Sequence, residues 1–271
     1  YEIQASDWSS DVCSSDLALD AAGIDTTANI DFTVDGTLTV GQANALAALT
    51  TGAVTATITD TASNLARLTV GDVNNYTLVE TDATVAASDL NAMDAVTDVT
   101  VDATAATTVT GNYADIMEAY ATVSYGEDTD IGGLGDEAIV VSEELTASEA
   151  NDIVGLTSGV VTATAVADTA AALNDVLNTS STDRITLTVL DDEIATSAID
   201  LNDLDGMTAI VVDAGDVTAV TGSAADIETA YQARGITGLG NESVTIESGD
   251  PKWRIISKFK ISCILQHMAS G

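Results

Sequence analysis

Two spacings of apolar residues alternate along the chain. In the first, apolar side chains return every three or four positions. Tyr113, Ile116, Met117 and Tyr120 stand at i, i+3, i+4 and i+7, and Ala43, Leu46 and Ala47 repeat the spacing, as do Ala150, Ile153 and Val154. Such a stripe forms one face of an α-helix. In the second, apolar and polar residues alternate strictly. Val54, Ala56 and Ile58 interleave with Thr55, Thr57 and Thr59; Val99, Val101 and Ala103 with Thr100, Asp102 and Thr104; Ile185, Leu187 and Val189 with Thr186 and Thr188. β-Branched residues at period two predict strands. The pattern places strands near 30–34, 53–58, 76–80, 98–103, 138–142, 160–166, 184–190, 209–214 and 243–247, with a helix between each consecutive pair. Thr39, Thr61, Thr146 and Ser223 stand just ahead of helical stretches, where a hydroxyl accepts from free amides at the helix start.

Strands joined by single helices require parallel pairing through crossovers, which are right-handed in almost every case. A doubly wound sheet is covered on both faces, and its strands read as continuous apolar runs. Here every second strand residue is Thr, Asp or Glu, so one face is expected to be covered and the other open and polar. A strand recurs roughly every 22–25 residues. The expected fold class is therefore α/β: a right-handed β/α solenoid of parallel strands and covering helices, with leucine-rich-repeat-like proportions. The alternative is a sandwiched parallel α/β sheet.

The chain also repeats itself at longer range. "TVGQANALAALTTGAVTATITDTASNL" (39–65) aligns with "TASEANDIVGLTSGVVTATAVADTAAAL" (146–173) with one inserted residue. "LNAMDAVTDVTVDATAATTVTGNYADIMEAY" (90–120) aligns with "LNDLDGMTAIVVDAGDVTAVTGSAADIETAY" (201–231) without a gap, and "IGGLGDEAIVV" (131–141) with "ITGLGNESVTI" (236–246). A block of roughly 105–111 residues is duplicated.

Composition narrows the partners. Of 271 residues 46% are hydrophobic but only 4% aromatic, so the core is built from Ala, Val, Leu and Ile. Asp and Glu outnumber Lys and Arg by 43 to 7, a net charge of −36. Such a polyanion repels nucleic acid, whose phosphates need Lys and Arg to neutralise them. No apolar run approaches the ~20 residues of a transmembrane segment. The unusual residues cluster at the ends: Cys13, Cys263, Trp8, Trp253, Pro251 and His267. "YEIQASDWSSDVCSSDL" resembles the conceptual translation of a sequencing adapter on a metagenomic read, and the basic tail "PKWRIISKFKISCILQHMASG" reverses the charge sign. Residues 1–17 are accordingly expected to be non-native and 250–271 a non-native or read-through tail. The repeat domain spans 18–249, in two blocks of about 30–138 and 139–247. Between the ends there is no Cys, His or Lys, which removes the usual nucleophile–base pairs and predicts a protein that is not an enzyme.

"AASDLNAMDAVTDVTVDA", "VTGSAADIETAYQARGITGLGNESVTI" and "IGGLGDEAIVV" resemble the tandem repeats of giant bacterial surface proteins, notably those of marine cyanobacteria. The resemblance covers most of 30–247. It implies an acidic, adhesin-like fragment of a secreted or cell-surface protein, extracellular in location, with neighbouring repeats of the same parent chain as partners. Calcium-binding repeats often accompany such regions. The resemblance supplies no catalytic residues.

Three stretches carry candidate chemistry. The glycines of "IGGLGDE" follow a helix and precede a strand, the reverse of a phosphate loop, so Gly135 and Gly240 are expected to serve turns needing positive φ. No cofactor is expected, with weak Ca²⁺ binding at an acidic loop as the one alternative: Glu127, Asp128, Asp130, Asp136 and Glu137 lie close in sequence, yet neither an EF-hand loop nor a glycine-rich calcium nonapeptide is present. The carboxylates of "LDDE" (190–193) lack the apolar enclosure that acid–base work needs. Finally, Thr55, Thr57, Thr100, Thr162, Thr164, Thr186 and Thr188 are expected to project from one open sheet face. That face is a candidate surface for polysaccharide, ice or matrix, interrupted by Asp102, Val211 and Asp213. The expected function is a non-enzymatic structural or adhesive repeat segment; the alternative is a surface- or Ca-dependent binding module using that Thr/Asp face.

Overall fold

The structure, a computed structural model, describes residues 29–69, 74–121, 131–191 and 194–247. The two terminal segments expected to be non-native lie outside the described residues. The chain divides into two compact units, one reaching to Ser142 and including Leu156–Gly159, the other made of Glu143–Gly155 and the chain from Val160 onward.

The first unit contains β1 (Phe32–Leu38), α1 (Val40–Ala47), β2 (Val54–Asp60), α2 (Ala62–Leu65), β3 (Asn75–Glu80), β4 (Thr84–Ala86), α3 (Ala87–Asp94), β5 (Val101–Asp102), β6 (Thr108–Gly111), α4 (Tyr113–Ala119), β7 (Ile131–Gly132) and the first five residues of β8 (Ala138–Leu145). Its strands pair in the orders β1-β2-β3-β5-β7 and β4-β6-β8. The second unit contains α5 (Ala147–Val154), β9 (Val161–Ala165), α6 (Ala170–Val176), β10 (Arg184–Thr188), β11 (Thr196–Ser197), α7 (Ala198–Asp205), β12 (Val212–Asp213), β13 (Ala219–Gly222), α8 (Ala224–Gln232), β14 (Ile236–Thr237) and β15 (Ser243–Ile246). Its orders are β9-β10-β12-β14 and β11-β13-β15. The fold is thus α/β with parallel sheets: the strand pairs within each unit are all parallel, and within each sheet the strands follow one another in chain order.

All nine strands expected from alternation have counterparts, and among the described residues eight helices lie between them. Six short strands were not expected: β4, β6, β7, β11, β13 and β14. Four of these lead into a helix directly or after one capping residue, as Thr84–Ala86 runs into Ala87. At two to four residues each they are too short for alternation to register.

The expected pattern of burial holds in the strands. Val54, Ala56 and Ile58 are buried on β2, as are Tyr76 and Leu78 on β3, while Thr55, Thr59 and Thr77 are exposed. Facing residues come from the helical stripes, including Ala43 and Leu46, Leu90 and Met93, Ala150 and Ile153. Each fully buried Leu or Ile contributes about 1.5–3 kcal/mol. Three of the four anticipated caps form. Thr39 with Gln42 and Thr146 with Glu149 make complete capping boxes, and Ser223 accepts from Asp226 N–H. The Thr146 amide and hydroxyl hold the Glu149 carboxyl below its ordinary range. Thr61 occupies the cap position of α2, but its hydroxyl makes no capping bond there; Asp82 Oδ2 accepts from Ala62 N–H instead, at 3.0 Å.

Two series of side chains stitch successive strand–helix segments together. In one, a threonine after the helix donates its hydroxyl to a backbone carbonyl of the preceding segment and accepts the amide two residues ahead. Thr97 donates to Tyr76 O at 2.7 Å and accepts from Val99 N–H at 3.1 Å. Thr50 does the same with Ile30 O and Gly52, Thr157 with Glu137 O and Gly159, Thr208 with Ile185 O and Ile210. In the other, a helix asparagine donates to a carbonyl of the following segment: Asn44 to Arg67, Asn91 to Asp115, Asn151 to Val176, Asn202 to Asp226. Both series recur at matching places in the two sequence blocks, which ties the duplication to structure.

Candidate functional site

The threonines expected on an open face fall into both units. In the first, Thr55 and Thr57 lie on β2 and Thr100 just before β5; Thr55 and Thr100 are exposed and Thr57 half-buried. Register adds neighbours that alternation on single strands did not reveal. Thr37, Thr57 and Thr77 are successive partners across β1, β2 and β3, and Thr33 pairs with Thr55, which pairs with Asn75. Neighbouring strands are about 4.8 Å apart, and same-face residues along a strand about 6.6 Å. The next row, Thr59, Val79, Asp102 and Gly132, is mixed. Asp102 accepts from Thr104 Oγ1 and N–H, which hold its carboxyl below the ordinary range.

In the second unit Thr162 and Thr164 lie half-buried on β9, and Thr186 and Thr188 lie exposed and half-buried on β10. Thr164 pairs with Thr186, but Thr162 pairs with Arg184 and Thr188 with Asp213. Val160, Val166 and Leu190 beside β9 and β10, and Val211 just before β12, are exposed, between 39% and 51% accessible. This face mixes hydroxyl and aliphatic positions more than the first unit's does.

Of the acidic candidates, Glu127, Asp128 and Asp130 lie outside the described residues, as do Asp192 and Glu193 of the "LDDE" stretch. Asp191 accepts from Thr218 N–H and Oγ1. Asp136 is exposed, whereas Glu137 is 3% exposed and its carboxylate is occupied. One oxygen accepts from the Tyr120 hydroxyl, the other from Gly135 N–H at 2.8 Å and Asp136 N–H at 3.1 Å. The second block repeats the arrangement: Glu242 accepts from the Tyr231 hydroxyl and from the amides of Gly240 and Asn241. Burial pushes the Glu242 carboxyl up, but the Tyr231 hydroxyl and three backbone amides outweigh it and hold it below its usual range. Burial, then Glu242 itself, push the Tyr231 phenol well above its usual value.

Gly135 and Gly240 adopt φ of +131° and +142°, as the turn reading required. The "GLG" stretch is thus a loop closed by a tyrosine–glutamate latch. Tyr120 and Tyr231 were not singled out as partners of these glutamates, although both stand at the same place in the aligned blocks. Among the described residues no group of three or more His, Cys, Asp or Glu is arranged to hold a metal ion, and no helix is long and apolar enough to cross a membrane. No family model, curated protein or solved structure matches the chain.

Proposed function

We propose that the chain is a segment of a right-handed β/α solenoid, and that it serves as a non-enzymatic structural and adhesive repeat region of a large secreted or cell-surface protein. The observation that carries this reading is the paired series of Thr and Asn hydrogen bonds. Each bond joins one strand–helix segment to the next, at the same place in both sequence blocks. Stability drawn from repeated neighbour contacts is the property of a linear array of equivalent segments. Sequential, wholly parallel strand order within each unit agrees with it. The high negative charge keeps such an array soluble and apart from like-charged surfaces. Melting of the full chain with added Ca²⁺ and, separately, Mg²⁺ tests the spacer role. Equal melting temperatures are expected, and a rise of several degrees with Ca²⁺ alone overturns it.

A second reading, an adhesive sheet face, rests on the row Thr37–Thr57–Thr77. Hydroxyls at regular strand spacing present donors and acceptors to a periodic partner such as a polysaccharide chain or a crystalline surface. Retention of the full chain on insoluble polysaccharide or ice, lost in Thr57→Lys and Thr164→Lys, is the expected result; retention unchanged by both substitutions removes this reading.

A further inference from the structure

The interior of the first unit holds two polar side chains that its duplicated counterpart lacks. Tyr76 and Glu80 stand four residues apart on the inward face of β3 and are 0% and 2% exposed. Glu80 Oε1 accepts from Asp82 N–H. Glu80 Oε2 and the Tyr76 hydroxyl find no hydrogen-bond partner among the protein atoms. The corresponding stretch of β10 and the residue after it read Ile185-Thr186-Leu187-Thr188-Val189 against Tyr76-Thr77-Leu78-Val79-Glu80. Ile185 and Val189 are both fully buried. Apolar residues therefore satisfy the fold at these positions, and a carboxyl there is not a requirement of packing. A carboxylate with one oxygen unpaired is far costlier to bury than the neutral acid.

Among the described residues the neighbourhood supplies no compensating cation. Asp60, the register partner of Glu80 on β2, is engaged by Thr61 N–H and Asn64 Nδ2. Asp82, past the corner, is engaged by Ala62 N–H. Asp102 on β5 pairs with Val79 and so lies on the opposite face of the sheet. From α2 and β4 the buried residues are Ala62, Leu65 and Val85. Arg67, the first unit's one basic side chain among the described residues, is exposed. Burial raises the Glu80 carboxyl above its ordinary value. The Asp82 amide pulls it down, but the negative charges of Asp82 and Asp102 add to the rise.

We propose that Glu80 is a proton switch of the first unit: it is seated in the folded interior as the neutral acid, and loss of its proton loosens the corner between β3 and β4 and the strand ladder beside it. The sign follows from linkage. A group whose proton is held more tightly when folded contributes stability below its unfolded value, near 4.5, and that contribution is lost as pH rises through the folded value. Each pH unit between the two lowers the folding constant about tenfold.

The test compares the full chain with Glu80→Gln and Glu80→Val from pH 4 to pH 8, by thermal melting and by amide hydrogen exchange over residues 76–86. Comparison at equal pH cancels the general repulsion among the acidic side chains. The wild type should match Glu80→Gln near pH 4 and melt progressively below it as pH rises. Its exchange over 76–86, corrected for intrinsic chemistry, should quicken with pH, and that of Glu80→Val should not. A gap that stays constant with pH, or a wild type more stable than Glu80→Gln at pH 8, overturns the proposal. Should neither variant fold, pH-independent protection of 76–86 in the wild type overturns it and pH-dependent protection supports it.

Discussion

Replacing Thr97 by Val tests whether the threonine bonds hold successive segments together. The side chain is 7% exposed, and the substitution exchanges a hydroxyl for a methyl at nearly constant volume. Two bonds vanish: the 2.7 Å donation to Tyr76 O and the 3.1 Å acceptance from Val99 N–H. A buried carbonyl that loses its donor costs about 1–3 kcal/mol, and an ordinary bond near water about 1 kcal/mol. The added methyl returns about 0.8 kcal/mol through burial. The balance is a loss of about 2 kcal/mol. For a unit of roughly a hundred residues this lowers the melting temperature by roughly 8 °C. Scanning calorimetry with urea denaturation measures it, and Thr97→Ser, which keeps the hydroxyl, should lose less than half as much. If Thr97→Val melts within about 2 °C of the wild type, or Thr97→Ser falls as far as Thr97→Val, the hydroxyl is not the link described.

The other expectations concern backbone approach and the loop latch. Gly159→Ala would place a Cβ 2.2 Å from the Glu137 carbonyl oxygen, so the backbone must shift; a loss of about 3 kcal/mol by urea denaturation is expected. Glu242, whose proton is held less tightly when folded, contributes stability above its unfolded value near 4.5 that is lost as pH falls through the folded value. Glu242→Gln should therefore be less stable than the wild type at pH 7, with the difference shrinking below pH 4.5; thermal melts across that range measure it, and a difference that stays constant contradicts the latch.

Most of the framework is legible where a residue's partner lies one strand position or one helical turn away. Alternation such as Val54-Thr55-Ala56-Thr57-Ile58 located the long strands, and Thr39 and Thr146 announced their helices because a cap acts within three residues. What escaped the sequence depends on contacts well beyond one helical turn, several of them across more than twenty residues and the tyrosine–glutamate latches across 17 and 11. The strands β4, β6 and β13 became strands by pairing with neighbours more than twenty positions away, which no short window registers. Thr37 and Thr77 join the Thr57 row only through register. Glu137 is the instructive case. Its charge and its nearness to other acids offered it as a metal ligand, whereas the geometry gives both its oxygens to Tyr120 and the loop amides. Its recurrence as Glu242, each time after "GLG" and downstream of a tyrosine, was the available signal of a structural role.

The hydrogen bonds from Thr50, Thr97, Thr157 and Thr208 span 20 to 23 residues of chain, and those from the helix asparagines 23 to 25. The loop closed by each such bond has nearly constant length wherever it falls. The entropy of closing it is set by that length and grows only slowly with it. In the solenoid proposed above, adding a segment then costs the same at any point, and folding can advance by accretion without a search that lengthens as the chain grows. Unfolding from an end meets the same constancy in reverse: a pulled chain should yield in steps of one segment, each releasing about twenty-odd residues of slack.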